Sequence, residues 1–112
     1  INAGVVIGAV TVIGSGVLVN RNASIGHHCL INDYVSVGPG ATLASNIVVG
    51  EGAMIGVGAV ILPDVRIGVD AVIAGGSLVR EDVPDGGFVA GNPAKQRDFD
   101  PGKSSLNVSG AE

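Results

Sequence analysis

The segment ASIGHHCLIND, residues 23–33, holds both histidines of the chain, His27 and His28, side by side and directly before its only cysteine, Cys29. Imidazole takes up and releases a proton near neutrality, so either histidine could act as a general base. A thiolate is a nucleophile and, like imidazole, a metal ligand. A metal site needs three or four converging ligands, whereas two neighbouring corner residues are expected to point in different directions, so no metal is expected here. Which of the three can do chemistry depends on where the backbone aims each side chain.

The backbone's own periodicity supplies that direction. From Ile1 to Pro84 the chain divides without interruption into fourteen hexads: INAGVV, IGAVTV, IGSGVL, VNRNAS, IGHHCL, INDYVS, VGPGAT, LASNIV, VGEGAM, IGVGAV, ILPDVR, IGVDAV, IAGGSL, VREDVP. Position one is aliphatic in all fourteen, and position five holds Ala, Val, Thr, Cys, Ser or Ile. Position two is Gly in seven hexads and Asn in three more, which suggests that the positive φ of a bend falls there. A six-residue period excludes an amphipathic helix, whose apolar stripe follows 3.6 residues per turn. Each hexad therefore reads as a short strand and a corner, with positions one and five inward and positions three and four outward. Cys29, at position five, is a core filler in this register, while His27 and His28 face out at a corner.

Composition agrees with a narrow aliphatic core. Aromatic residues are 3% of the 112, Trp is absent and Gly occurs 19 times, so the large fillers of an ordinary globular core are missing. Net charge is −4, with charges of both signs interspersed, which argues against a nucleic-acid partner and a polybasic membrane contact. There is no apolar run long enough for a membrane span and no signal-peptide pattern, so a cytoplasmic setting is the expectation. A single cysteine makes no internal disulfide, which suits a reducing compartment. The chain begins at Ile1, already inside the frame, and further sequence upstream is expected.

The frame resembles the hexapeptide-repeat family, whose pattern is an aliphatic residue, a small or Gly residue, two variable positions and a small residue. That resemblance implies an all-β fold: a left-handed parallel β-helix, three hexads to a coil and a little under five coils, with residues 18 apart stacked along one edge. The stretch SIGHHCLINDYVSVGPGATLASNIVVGEGAMIGVGAVILPDVRIG, with IAGGSLVREDVPDG and GNPAK after it, is similar to the acetyltransferases of the sialic acid O-acetyltransferase and bacterial UDP-amino-sugar N-acetyltransferase group.

Membership of that group would make the protein a homotrimer that binds acetyl-CoA in a groove between neighbouring prisms and transfers the acetyl group to a sugar or nucleotide-sugar. The group's catalytic histidine falls on His27. Its acetyl-CoA contacts fall on Ser45, Val57 and Gly75, with the Ser45 N–H expected at the thioester oxygen, and Lys95 of GNPAK is a candidate for the cofactor phosphates. Two positions depart from the group's pattern. His28 stands where relatives carry an acidic residue, and Ser36 where many carry a histidine that contributes to the coenzyme A site. The carbonic anhydrases built on the same repeat would require three histidines shared across a trimer interface, which His27 and His28 do not supply. A contrasting reading is a non-catalytic β-helical trimerisation module, since nothing in the 112 residues corresponds to the Rossmann-like acceptor domain of the sugar acetyltransferases.

The organisation expected is a β-helix over residues 1–84, a closing loop and short segment over 85–98, and a disordered tail over 99–112. The Asp-Gly-Gly and the two prolines of DVPDGGFVAGNPAKQRD mark the exit from the repeat. Asn107–Ser109 matches a glycosylation triplet but carries little weight without a secretory signal. Outward apolar residues Val10, Tyr34, Met54 and Val57 are expected to be covered by a neighbouring subunit.

Overall fold

A computed structural model of the protein describes residues 2–97. The tail and the Asn107–Ser109 triplet lie outside the described residues. Thirteen two-residue strands follow one another at six-residue intervals: β1 Val6–Ile7, β2 Val12–Ile13, β3 Leu18–Val19, β4 Ser24–Ile25, β5 Leu30–Ile31, β6 Ser36–Val37, β7 Thr42–Leu43, β8 Val48–Val49, β9 Met54–Ile55, β10 Val60–Ile61, β11 Arg66–Ile67, β12 Val72–Ile73 and β13 Leu78–Val79. Two further strands, β14 Phe88–Gly91 and β15 Ala94–Gln96, end the described chain, and no helix occurs among the described residues.

Strands three apart in sequence are neighbours in space. They form a first face β1-β4-β7-β10-β13, a second β2-β5-β8-β11 and a third β3-β6-β9-β12-β14-β15. All pairings are parallel except β14 with β15, and residues 18 apart stand opposite each other, as Ile13 does Ile31 and Val37 does Ile55. The result is a parallel β-helix of about five turns with three hexads to a turn. Backbone polarity is met between coils: Val12 N–H donates to the Cys29 carbonyl at 2.9 Å and Gly14 N–H to the Ile31 carbonyl at 2.7 Å.

The inward positions match the hexad frame. From Val19 to Val83 every residue at positions one and five is buried, including Cys29 at 2% exposure. Val5, Ile7, Ile13 and Val17 of the first coil are only partly buried and pack against this core. Each inward Ile or Val contributes about 1.5–3 kcal/mol relative to exposure, so a core of such side chains offsets the absence of large aromatics. The one buried polar residue among the described residues, Ser77, accepts the Gly91 N–H on its Oγ at 3.2 Å and so ties β14 to the core.

The corners differ from the sequence expectation. Positive φ occurs at position four, in all thirteen hexads from Gly4 (φ 74°) to Gly76 (φ 72°), and not at position two. Position two favours glycine because the next coil passes too close for a side chain: a methyl at Gly38 would stand 2.8 Å from the Val57 nitrogen, and one at Gly50 2.6 Å from the Gly68 carbonyl carbon. Where Asn takes that place, it reaches along the stack instead, as Asn32 Nδ2 does to the Val49 carbonyl at 2.9 Å.

Stacking also outlasts the hexad frame. Val83 bridges Ile67, and Phe88 and Val89 stand opposite Val72 and Ile73, 16 residues away instead of 18. The last coil is thus shortened by two residues. The chain then reverses through a cis Asn92–Pro93 peptide into β15, which closes the third face.

Candidate active site

The corner between β4 and β5 carries Gly26, His27, His28 and Cys29. Thr11, one coil earlier in the column of Cys29, holds both sides of this turn. Its Oγ1 donates to the Gly26 carbonyl at 2.6 Å and accepts the Cys29 N–H at 3.1 Å. Thr11 does not stand out among the reactive residue types of the sequence. The available signal was a hydroxyl at an inward position, 18 residues before Cys29. The Cys29 thiol donates to the Ala44 carbonyl at 3.4 Å and also lies 3.7 Å from the His27 carbonyl, which makes it a packing residue of the corner.

His28 takes the left-handed conformation of position four, φ 57°, and its N–H donates to the Ala9 carbonyl at 3.1 Å. Histidine is among the non-glycine residues that enter this region most readily. His27 and His28 are both exposed, but they do not diverge as expected. The turn brings their rings together edge to face, centroids 5.2 Å apart at 86°, with Nδ1 to Nδ1 at 3.0 Å. One of the two nitrogens donates and the other accepts. Among the described residues no group of three or more His, Cys, Asp or Glu side chains gathers as a metal site.

Ser45 is the residue of the next coil that stacks on His27. The Asn46 N–H donates to the His27 carbonyl at 3.0 Å, and the Ser45 carbonyl accepts from Asp64 N–H at 3.1 Å. Among the described residues the Ser45 N–H has no acceptor. At another corner two of the four equivalent amides are capped: Ser15 N–H by Asp33 Oδ1 and Val69 N–H by Asp85 Oδ1, both at 2.8 Å. Ser45 itself is half-buried, one coil beyond the exposed His27.

Val57 and Gly75 stack in the same way at the corner joining the third face to the first. Gly76 N–H donates to the Val57 carbonyl at 2.8 Å, and a methyl at Gly75 would stand 3.2 Å from that oxygen. Both residues are exposed, Val57 to 63%. Ser36 lies half-buried on the third face, between Leu18 and Met54, and Lys95 is exposed on β15 at the end of that face. Within one chain, therefore, His27 and Ser45 occupy one edge of the first face, while Val57 and Gly75 occupy its other edge. Ser36 and Lys95 lie beyond that second edge. A shallow apolar hollow lined by Asp70, Val72, Gly86, Gly87 and Phe88 includes none of these residues. Of the outward apolar residues expected to need cover, Val10, Tyr34 and Met54 are 70%, 62% and 55% exposed.

Comparison with known proteins gives these edges a context. No curated protein matches the chain. Among solved structures, a histidine-to-asparagine mutant of perosamine N-acetyltransferase from Caulobacter crescentus, in complex with CoA and GDP-perosamine, is 36% identical with a TM-score of 0.87, over 88% of this chain and 47% of that one. The acetyltransferase domain of PglB from Neisseria gonorrhoeae, in complex with acetyl coenzyme A, is 39% identical with a TM-score of 0.84, over 85% of this chain and 46% of that one. Serine acetyltransferase from Neisseria gonorrhoeae is 30% identical with a TM-score of 0.76, over 88% and 42%. The chain thus spans about half the length of the structures it matches. The pattern of the bacterial transferase hexapeptide (six repeats) matches residues 10–45 and 46–81, the same coils that carry His27, Ser45, Val57 and Gly75. With that pattern covering more than half of the chain, the protein belongs to the bacterial transferase hexapeptide family.

Proposed function

We propose that the protein is an acetyl-CoA-dependent acetyltransferase acting on an amino- or hydroxyl-bearing sugar or nucleotide-sugar, with His27 as general base. The observation that carries this reading is the stacking of Ser45, whose N–H is uncapped, one coil beyond His27, whose imidazole is exposed. One can take a proton from a nucleophile, and the other can donate to a thioester oxygen as negative charge develops there. The cofactor complexes of perosamine N-acetyltransferase and of the PglB domain support acetyl-CoA as the donor.

The step balances without a covalent enzyme intermediate. The acceptor nitrogen or oxygen attacks the thioester carbonyl carbon while His27 Nε2 takes its proton. The C–S bond then breaks, and the departing coenzyme A sulfur receives the proton back from His27. Holding donor and acceptor in one groove contributes by orientation what the imidazole alone does not. Since His27 and Val57 stand on opposite edges of one face, the groove joins the His27 edge of one protomer to the Val57–Gly75 edge of its neighbour in a homotrimer. Ser36 and Lys95 flank the second edge and complete the cofactor contacts there.

The test measures acetyl-CoA binding by calorimetry and thiol release with water and with a panel of amino-sugar and nucleotide-sugar acceptors. Expected are binding by the parent and by His27→Asn alike, and a drop in thiol release of about 10²–10⁴ in His27→Asn. Absence of binding at millimolar acetyl-CoA, or release indifferent to His27→Asn, sinks the reading and leaves a structural trimerisation module.

A further inference from the structure

Building on that reading, we infer that His28 is the positioning residue of the site: it accepts the Nδ1–H of His27 and thereby leaves His27 Nε2 unprotonated and open to the acceptor. The Nδ1 atoms are 3.0 Å apart, and a neutral imidazole carries one N–H, so the pair has two arrangements. If His28 donates, the proton of neutral His27 resides on Nε2, and the outward nitrogen has no lone pair to offer. If His27 donates, Nε2 is free. Only the second arrangement also survives the catalytic cycle: when Nε2 takes a proton, the Nδ1–H donated to His28 belongs to an imidazolium, and the hydrogen bond becomes charge-assisted.

The backbone prepares His28 for this role. Its left-handed corner conformation and its N–H bond to the Ala9 carbonyl set the direction of its side chain, while Thr11 holds the turn from the inside. Around the two rings the neighbours in the stack are uncharged: Ala9 and Val10 in the coil before, Ser45 and Asn46 in the coil after. The next carboxylate along this corner, Asp64, is bound by Asn46 Nδ2 at 2.8 Å, and the Cys29 thiol turns inward to the Ala44 carbonyl. His28 is thus the group that meets His27 Nδ1. Being neutral, it orients the base without the added attraction for a proton that a carboxylate would exert.

The experiment uses the full chain and two readouts. Long-range proton–nitrogen correlation spectra, taken where both imidazoles are neutral, report which ring nitrogen carries hydrogen, and thiol release from acetyl-CoA with water as acceptor reports turnover. Expected in the parent are Nδ1–H on His27 and a bare Nδ1 on His28. In His28→Phe the His27 pattern changes and kcat falls about tenfold or more, a part of the general-base factor, with KM for acetyl-CoA unchanged. In His28→Glu the Nδ1–H pattern and kcat return, and the acid limb of the profile moves to higher pH, because a carboxylate favours the protonated imidazole and the base must then be freed at higher pH. Hydrogen on His27 Nε2 in the parent, or a His28→Phe variant with unchanged pattern and kcat, overturns the inference. Thiol release indifferent to His27→Asn overturns instead the acetyltransferase reading, while the nitrogen pattern still decides the pairing.

Discussion

The N–H of Asn46 donates to the carbonyl of His27 at 3.0 Å, and this bond sets Ser45 directly against His27 in the stack. The contact proposed for Ser45 uses its backbone N–H and not its hydroxyl. Proline tests that distinction, because Pro39 and Pro63 already occupy the same position in other hexads. Ser45→Pro is expected to keep the melting temperature of the parent, while thiol release falls about 10²–10³-fold, the usual loss for one oxyanion donor. Ser45→Ala, which retains the N–H, is expected to keep turnover near that of the parent. A Ser45→Pro enzyme with undiminished turnover removes Ser45 from the site.

Gly26 shows why glycine fills half of the second hexad positions. A methyl there would press on the Ala44 carbonyl oxygen and lie 2.7 Å from its carbon and 3.2 Å from the Ser45 nitrogen. Gly26→Ala is expected to cost about 1–3 kcal/mol, as overpacking does, and to lower turnover as well, since the atoms that must yield belong to the Ser45 peptide. Gly58 is different: φ is 66° and the direction of its missing side chain is open. Asparagine accepts that conformation at Asn22 and Asn46, so Gly58→Asn should stay within about 0.5 kcal/mol of the parent. Denaturant unfolding of the two variants gives the comparison.

These two glycines also mark where the sequence was legible and where it was not. The inward positions were readable because burial of Val19 to Val83 depends only on a period, and a period survives without coordinates. The corner was misread because composition alone does not separate two demands that both favour glycine: left-handed φ, which falls at position four, and close approach of the next coil, which falls at position two. The His27–His28 contact was hidden for a related reason. A left-handed residue turns its side chain back across the corner, and that follows from φ at His28, not from the order of residue types. Beyond Pro84 the frame ended while the stacking continued, because strand pairing of Phe88 with Val72 needs no hexad pattern.

Cys29 adjoins both histidines in sequence but faces the core. At 2% exposure its thiol is expected to resist an aromatic disulfide reagent in the folded protein and to react at the rate of global unfolding. Cys29→Ala should cost about 1 kcal/mol in unfolding free energy and leave turnover in place, since the proposed step needs no thioester on the enzyme. Fast labelling in the native state, or loss of turnover in a folded Cys29→Ala, would restore the thiol as a candidate nucleophile.

The two edges of the first face give the last prediction. His27 and Gly75 lie on opposite edges of one chain, so a site built between protomers takes one edge from each. A mass three times the 11.0 kDa of the chain is expected in light scattering. His27→Asn and Gly75→Leu should each be inactive, the first without a base and the second with its cofactor edge obstructed. Refolded together in equal amounts, they form closed trimers in which some junctions combine an intact His27 edge with an intact Gly75 edge. Random mixing in a symmetric ring makes that about a quarter of all junctions, so thiol release should recover to about a quarter of the parent's. Recovery requires that the two edges meet across subunits. A mixture as inactive as its components would mean that each chain serves its own site, and the exposed Val57 edge would then need another role.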